Sequence, residues 1–246
     1  MSVPDALPVD LVRGEVLDCL RSAGRVVVTA PTGSGKSTQV PRWCAGAGWR
    51  TLVVEPRRVA CRSLGRYVAS LEGTTLGARV GYAVRYEDRI GPDTRIAFVT
   101  PGVALGILRD GDLDAWDAVI LDEFHERRTD TDLLLALLLE THPGPLAVLS
   151  ATLDAERVAA HLRGIVVTAT GRLHPVTTTW CGEVLQPSPR ELAGRVAAGV
   201  RTALDGGEGD VLVFLPGKGE IADAADALAR LSGIEILRLH GDLSNR

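Results

Sequence analysis

The chain has 246 residues, of which 46% are hydrophobic and 4% aromatic, and its formal net charge at pH 7 is −4. This length is enough for one complete α/β domain and part of another. The negative net charge excludes a protein that attracts nucleic acid through its overall field, so any such contact must depend on local arginines.

Neither export nor a membrane segment is predicted. The longest strongly apolar run, residues 133–139, is too short to cross a bilayer. Pro4, Asp5 and Asp10 interrupt the N-terminal region, so it has no signal-peptide pattern. The four cysteines lack metal-binding spacing, which is typical of free thiols in a reducing compartment. We therefore expect a cytoplasmic protein with no membrane partner.

Helical patterns alternate with short apolar runs along the first two thirds of the chain. The runs read as strands buried on both faces of a parallel sheet, at 26–29, 51–54, 96–100, 118–121, 146–149 and 165–168. Helices are predicted at 5–24, 58–71, 101–109, 131–140 and 154–162. This alternation predicts an α/β fold, a doubly wound parallel sheet flanked by helices, with ligands at the carboxyl ends of the strands.

The pattern resets after residues 171–175 and a new succession begins. It is predicted to contain a helix at 190–204, a strand at 211–215, a helix at 218–231 and a strand at 234–239. A domain of this kind normally needs about a hundred residues or more. We therefore expect an N-terminal helix at 1–24, a complete domain at 25–171 and the start of a second, truncated domain at 172–246, in a fragment of a longer protein.

A glycine-rich turn at residues 30–38 lies between a predicted strand and a predicted helix. Unpaired N–H groups and the helix dipole converge at such a turn, where a triphosphate can bind. Gly33 and Gly35 allow the tight turn, Lys36 is placed to reach the β and γ phosphates, and the Ser37 hydroxyl to bind Mg²⁺. The remaining predicted nucleotide-binding residues are Thr32, Ser34 and Thr38. The alternative, a surface turn rich in Gly and Ser, does not explain the strand–loop–helix context.

An acidic pair, Asp122 and Glu123, follows the predicted strand at 118–121. Hydrolysis of a nucleotide needs a carboxylate for Mg²⁺ and a group that orients the attacking water. We expect Asp122 to hold the metal and Glu123 to orient and deprotonate the water. An acidic pair facing solvent is the alternative, and the upstream phosphate turn favours the catalytic interpretation.

Residues 122–127 resemble motif II of the DEAH-box class of superfamily-two helicases, with Phe124 where the class has Ala. This variant is similar to the bacterial HrpB-like ATP-dependent helicases. Other segments resemble further motifs of the family in the same order, at 30–38, 55–60, 100–103, 150–152, 213–217 and 239–241. The resemblance implies a RecA-like P-loop NTPase domain followed by an incomplete second RecA-like domain. It also implies ATP and Mg²⁺ as cofactors, and hydrolysis coupled to movement on, or unwinding of, a single strand of nucleic acid, RNA by family preference.

Four residues are expected to contact that strand. Arg57 and Arg58 follow a buried strand and Pro56, and paired guanidinium groups suit backbone phosphates. Thr100 and Gly102 lie at a strand-to-helix junction and can offer a hydroxyl and open N–H groups to the next phosphate. A solvated helix start for the arginines and a plain helix cap for Thr100 are the alternatives.

Three residues are expected to link the nucleotide site to the rest of the protein. By resemblance, His125 couples this site to the second domain. Ser150 and Thr152 follow a buried strand and can hydrogen-bond the motif II turn, with a strand-end cap as the alternative.

Helicases of this class also take arginines from motif VI of the second domain, and neither that motif nor motif V is recognised before Arg246. Such an arginine contributes about a thousandfold or more to the rate of related enzymes, so we expect weak turnover by this chain alone. Three alternatives remain open at this point: a nucleotide-binding and nucleic-acid-binding module without turnover, a DNA translocase of the same superfamily, and a P-loop kinase. The acidic pair and the second α/β succession argue against the kinase.

Overall fold

A computed structural model describes residues 7–151, 155–171, 176–180, 188–207, 209–229 and 231–240. The chain divides into two compact units, Met1–His174 and Pro175–Arg246. In the described part of the chain, no helix is both long and apolar enough to cross a membrane.

The first unit is built on a sheet of eight strands in the order β4-β3-β5-β2-β6-β7-β1-β8. The strands are β1 (Arg25–Thr29), β2 (Thr51–Val54), β3 (Val80–Val84), β4 (Glu87–Asp88), β5 (Ile96–Val99), β6 (Ala118–Leu121), β7 (Leu146–Ser150) and β8 (Ile165–Thr168). All neighbouring pairs are parallel except β3 and β4, which are antiparallel. The parallel sheet predicted from the apolar runs is therefore confirmed, and the carboxyl ends of seven strands share one edge.

Within the described residues, six α-helices belong to the first unit and two to the second. They are α1 (Arg13–Ser22), α2 (Lys36–Gly46), α3 (Arg58–Leu71), α4 (Pro101–Asp110), α5 (Thr129–Thr141), α6 (Ala155–Leu162), α7 (Pro189–Asp205) and α8 (Lys218–Leu228). Short 3-10 helices cover Pro8–Val12, Asp112–Ala115 and Phe124–Glu126.

Two apolar layers enclose the sheet, because successive side chains of a strand point to opposite faces. Along β1, Val26 and Val28 pack with the buried residues of α1, α2 and α3, whereas Val27 packs with those of α4, α5 and α6. The N-terminal helix is part of this packing, since Val16 and Leu20 of α1 are buried in the first layer.

Strands β3 and β4 lie in a region for which the sequence predicted no element. Gly81 and Ala83 interrupt the β-branched run in β3, and this weakens the sequence pattern. Gly81 is required by its neighbour, because a Cβ atom there would lie 2.2 Å from the backbone oxygen of Arg89. Glycine is therefore required at position 81 by the close approach of the returning chain, and strand propensity does not explain it.

The second unit contains the two predicted helices, as α7 and α8, but the predicted strands at 211–215 and 234–239 are wrong: neither segment is assigned as a strand. A strand needs a neighbour to complete its backbone hydrogen bonds, and no ladder forms within the described part of this unit. Side chains that a paired and covered sheet would bury are exposed instead, including Phe214 at 87%. The interpretation of 172–246 as the start of a second RecA-like domain stays a prediction.

Candidate nucleotide-binding and hydrolysis site

The glycine-rich turn connects β1 directly to α2, which begins at Lys36. Gly35 is the N-cap of α2 and has φ 93°, in the left-handed region that favours glycine. Its backbone oxygen accepts hydrogen bonds from the N–H groups of Thr38 and Gln39, at 3.1 and 2.8 Å. The first turn of α2 is therefore formed, and its leading N–H groups lie beside the loop, as an anion site requires.

Side chains of the loop fall into two groups. Thr32 and Gly33 are exposed at its tip, and Ser37 and Thr38 are half-buried, with the Thr38 hydroxyl donating to the Gly35 oxygen at 3.0 Å. In contrast, Ser34 and Lys36 are only 2% and 4% exposed. The Ser34 hydroxyl has no hydrogen-bond partner among the described residues. A buried hydroxyl and a buried cation beside open N–H groups fit a bound triphosphate.

Leu7 packs against the phosphate loop from outside the predicted motif. A Cβ atom at Gly35 would lie 2.6 Å from Leu7 Cδ1, and the N–H of Val9 donates to the Ser34 oxygen at 3.2 Å. This contact could not be predicted from the sequence, because it joins residues that no motif connects.

Gly35→Ala is expected to destabilise the protein by about 1–3 kcal/mol, because it places a side chain in the left-handed region and its Cβ atom would require the Leu7 side chain to move. Gly33→Ala is the matched control: Gly33 has φ 79°, but a Cβ atom added there would meet nothing within 4 Å, so only strain applies. Chemical denaturation monitored by circular dichroism measures both. Equal losses in the two variants would show that the Leu7 contact has no energetic role.

Asp122 follows β6 and is fully buried. Its Oδ1 accepts from the N–H of Glu123 at 2.8 Å, while its Oδ2 has no hydrogen-bond partner in the described structure. Burial raises the pKa of this carboxyl to about 6, and interaction with the Ser37 hydroxyl and the charge of Lys36 act in the opposite direction. The fold thus brings together the predicted phosphate turn and the predicted metal-binding carboxylate.

The unpartnered Asp122 oxygen and the Ser37 hydroxyl fit Mg²⁺, which prefers oxygen ligands and usually completes its shell with water and nucleotide phosphates. Among the residues described, no group of three or more His, Cys, Asp or Glu side chains could hold a metal by itself.

Glu123 has φ 49° and ψ 34°, a left-handed conformation that is strained for a residue with a side chain. Its carboxylate oxygen lies 3.4 Å from Nε2 of His125, and both side chains are about three quarters buried. The other imidazole nitrogen, Nδ1, is buried with no partner within the described residues. His125 therefore contacts the predicted catalytic carboxylate directly.

Ser150 ends β7, which pairs with β1 on one side and β6 on the other. Its backbone oxygen accepts from the N–H of Ala30 at 3.2 Å. Its hydroxyl is buried and has no partner in the described part of the chain, so the hydrogen bond expected with the motif II turn is not formed. Because β7 lies between β1 and β6, Ser150 lies between the phosphate loop and the motif II turn, and its backbone contacts the loop at Ala30. Thr152 lies outside the described residues.

Glu55, at the end of β2, is a site residue that the sequence analysis missed. It is 2% exposed, and its Oε1 accepts from the N–H of Arg57 at 3.0 Å. Burial, followed by the nearby charge of Asp122, raises the pKa of Glu55 to about 8. The signal was available, because Glu55 follows a buried strand just as Asp122 does.

The four residues predicted to contact nucleic acid lie after β2 and β5, which are neighbours in the sheet. Arg57 and Arg58 are exposed, and the Arg57 guanidinium forms an ion pair with Glu126. Thr100 is the N-cap of α4, but its side chain makes no capping hydrogen bond, so the cap interpretation of its hydroxyl is wrong. Gly102 is exposed, with open space where a side chain would lie.

A phosphate-loop sequence after one strand and an acidic pair after another, on a parallel sheet, define the class of P-loop nucleotide-binding proteins. The DEAD/DEAH box helicase family model matches residues 12–160, and the chain therefore belongs to the DEAD/DEAH box helicase family.

Comparison with known proteins shows which members of the family the chain is similar to. The chain is 38% identical to the ATP-dependent RNA helicase HrpB of Escherichia coli over 251 residues, which cover 97% of this chain and 31% of HrpB. It is 34% identical to the ATP-dependent RNA helicase HrpA of the same organism, covering 100% of this chain and 20% of HrpA. It thus spans a fifth to a third of the length of these relatives.

Solved structures that match this chain include two crystal structures of HrpB. A crystal structure of E. coli DEAH/RHA helicase HrpB matches with a TM-score of 0.80 and 36% identity, covering 96% of this chain and 30% of that one. A second, of E. coli DExH-box NTPase HrpB, matches with a TM-score of 0.75 and 37% identity, covering 99% and 31%. The resemblance to HrpB-like helicases and the RecA-like α/β fold class are confirmed.

Proposed function

We propose that this chain is the N-terminal part of an ATP-dependent RNA helicase, which binds MgATP at the phosphate loop and couples its hydrolysis to movement on, or unwinding of, a strand. The observation that carries the proposal is the buried Asp122 carboxylate, with one oxygen unpartnered among the described residues, beside Ser37 and Lys36. A buried carboxylate oxygen without a hydrogen-bond partner is unfavourable, and a site built for a metal–nucleotide complex explains why it is retained.

Each predicted residue then has a role. The loop amides and Lys36 bind the phosphates, and Ser37 and Asp122 hold Mg²⁺, which neutralises charge on the phosphates when bound. Glu123 orients the attacking water and accepts its proton. His125 contacts Glu123, and this contact supports its proposed role in coupling the site to a second RecA-like domain, together with Ser150 and Thr152.

The exposed arginines, Arg57 and Arg58, with Thr100 and Gly102, are proposed to bind strand phosphates. RNA is preferred over DNA as the partner because the relatives named above are RNA helicases. We also place the protein in the cytoplasm. The described cysteines, Cys19, Cys44 and Cys61, are free and buried, which suits a reducing compartment.

The test is Mg²⁺-dependent binding and hydrolysis of ATP by this chain, with and without single-stranded RNA or DNA of equal length. We expect ATP binding that requires Mg²⁺ for full affinity, stronger binding of RNA than of DNA, and turnover near background. If RNA does stimulate turnover, Glu123→Gln should remove the stimulation while retaining ATP binding.

Other outcomes identify the alternatives. Equal or stronger binding of DNA would favour a translocase on DNA, and phosphate transfer to a small-molecule acceptor without release to water would favour a kinase. Failure to bind ATP at all would contradict the proposal. The expected result, binding of ATP and RNA with turnover near background, would make this chain the binding half of a longer protein that carries the activity.

A further inference from the structure

We propose that Glu126 is a positioning residue for Arg57: its carboxylate takes the place of a strand phosphate on the guanidinium group, and a bound strand displaces it. This inference rests on the proposed function, in which Arg57 contacts the backbone of a nucleic acid. It adds a residue to that site and a physical link from the strand to the catalytic turn.

The ion pair joins two loops that are distant in sequence. Arg57 follows β2 and Glu126 ends the 3-10 helix after β6, and these two strands are neighbours in the sheet. The Arg57 side chain is 65% exposed, whereas that of Glu126 is 21% exposed. The guanidinium group is therefore accessible from solvent while a more buried carboxylate holds it from the protein side.

Both partners are anchored to the nucleotide site through their backbones. The N–H of Arg57 donates to the Glu55 carboxyl at 3.0 Å, and that of Glu126 donates to the backbone oxygen of Glu123 at 3.0 Å. The 3-10 turn is bracketed by left-handed residues, Glu123 at φ 49° and Arg127 at φ 48°. Such a turn is strained, so releasing Glu126 from Arg57 changes the restraint on the residue that is proposed to orient water.

The chemistry of the exchange is that of one oxyanion replacing another. A carboxylate and a phosphodiester both accept hydrogen bonds from a guanidinium fork. Partly exposed ion pairs contribute little net free energy, so a strand that offers several phosphates at once can displace a single carboxylate. A strand that frees the turn is therefore expected to alter nucleotide affinity through Glu123, and because coupling between two ligands is reciprocal, nucleotide alters strand affinity by the same factor.

Glu126→Gln is expected to raise the affinity of the nucleotide-free chain for a 12-nucleotide single-stranded RNA by about two- to fivefold. Asp130→Asn is the matched control, because Asp130 also pairs with an arginine, Arg128, at 3.3 Å, and its loss removes the same charge close to the same turn. Fluorescence anisotropy at fixed salt measures both affinities, and thermal denaturation verifies that both variants are folded.

Two further readouts test the link itself. In the Arg57→Gln background, Glu126→Gln should give no gain beyond that of Asp130→Asn, because the pair is already absent. The second readout is the RNA–nucleotide coupling factor, which is the factor by which RNA changes the affinity for a nonhydrolysable ATP analogue. This factor should move towards one in Glu126→Gln and stay at the wild-type value in Asp130→Asn.

Equal gains in Glu126→Gln and Asp130→Asn would overturn the inference, since general electrostatics would then explain them. An unchanged RNA–nucleotide coupling factor in Glu126→Gln would overturn the proposed link. Either result leaves the proposed function standing if the wild-type chain binds both ligands. If the wild-type chain binds nucleotide but not RNA, the strand-binding proposal and this inference both fail.

Discussion

Replacing Lys36 with alanine is expected to weaken ATP binding by up to about a hundredfold, because a charged hydrogen bond to the phosphates is worth up to about 3 kcal/mol. Lys36 is 4% exposed and begins α2, so bulk water replaces little of the lost interaction. Isothermal titration with ATP and Mg²⁺ measures the loss. Lys36→Arg is expected to restore it only in part, because a planar guanidinium group differs in shape from a compact ammonium group.

Lys218→Ala is the matched control for this prediction. Lys218 is the other lysine of the chain and also begins a helix after a glycine, in the second unit. Its replacement removes the same charge, and we expect ATP affinity to remain at the wild-type value. A comparable loss in both variants, or no loss in Lys36→Ala, would contradict the assignment of the phosphate loop.

Glu55→Gln is expected to stabilise the metal-free protein at pH 8, by up to about 4 kcal/mol. The pKa of Glu55 is raised by burial from 4.5 to about 8, so the folded protein retains a proton that the unfolded chain has released. The contribution of this group to stability is therefore lost as pH rises from about 4.5 to about 8. Glutamine cannot ionise, and its oxygen can still accept the hydrogen bond from the Arg57 N–H.

The measurement is the free energy of unfolding from urea titrations at several pH values, in a chelating buffer. Wild-type stability should decline relative to Glu55→Gln as pH rises, and the two proteins should converge near pH 4. Glu87→Gln provides a control of opposite sign, because hydrogen bonds from Tyr82 and Arg62 lower the pKa of Glu87. The native Glu87 carboxylate stabilises the folded protein above pH 4.5, and this contribution is lost on acidification. Parallel pH profiles for wild type and Glu55→Gln would refute the prediction.

Most of the sheet and the two central motifs could be predicted from the sequence because their determinants are local. The strand before Gly33 and the strand before Asp122 are short apolar runs, and the residues after each belong to types with a specific chemistry. Strands β3 and β4 could not be predicted in this way. Gly81 in β3 is explained only by the backbone of Arg89 that passes beside it.

The other features that could not be predicted from the sequence depend on contacts between separate segments of the chain. The environment of Glu55 depends on Asp122, and the Arg57–Glu126 pair depends on β2 lying beside β6. Strand order in a sheet is a tertiary property that hydrophobic periodicity does not contain. The second unit shows the opposite error: apolar runs at 211–215 and 234–239 have strand-like composition without partners for pairing among the described residues.

The packing of Leu7 and Val9 on the phosphate loop has a practical consequence for anyone who expresses this domain. The family model begins at residue 12, and a truncation at that point would look complete by that model. It would nevertheless remove the side chain that packs at Gly35 and the amide that binds the Ser34 oxygen. The limit of the family model and the limit of the physical nucleotide site therefore differ by several residues, and a protein shortened to residue 12 would lose contacts at its phosphate loop while retaining every recognisable motif.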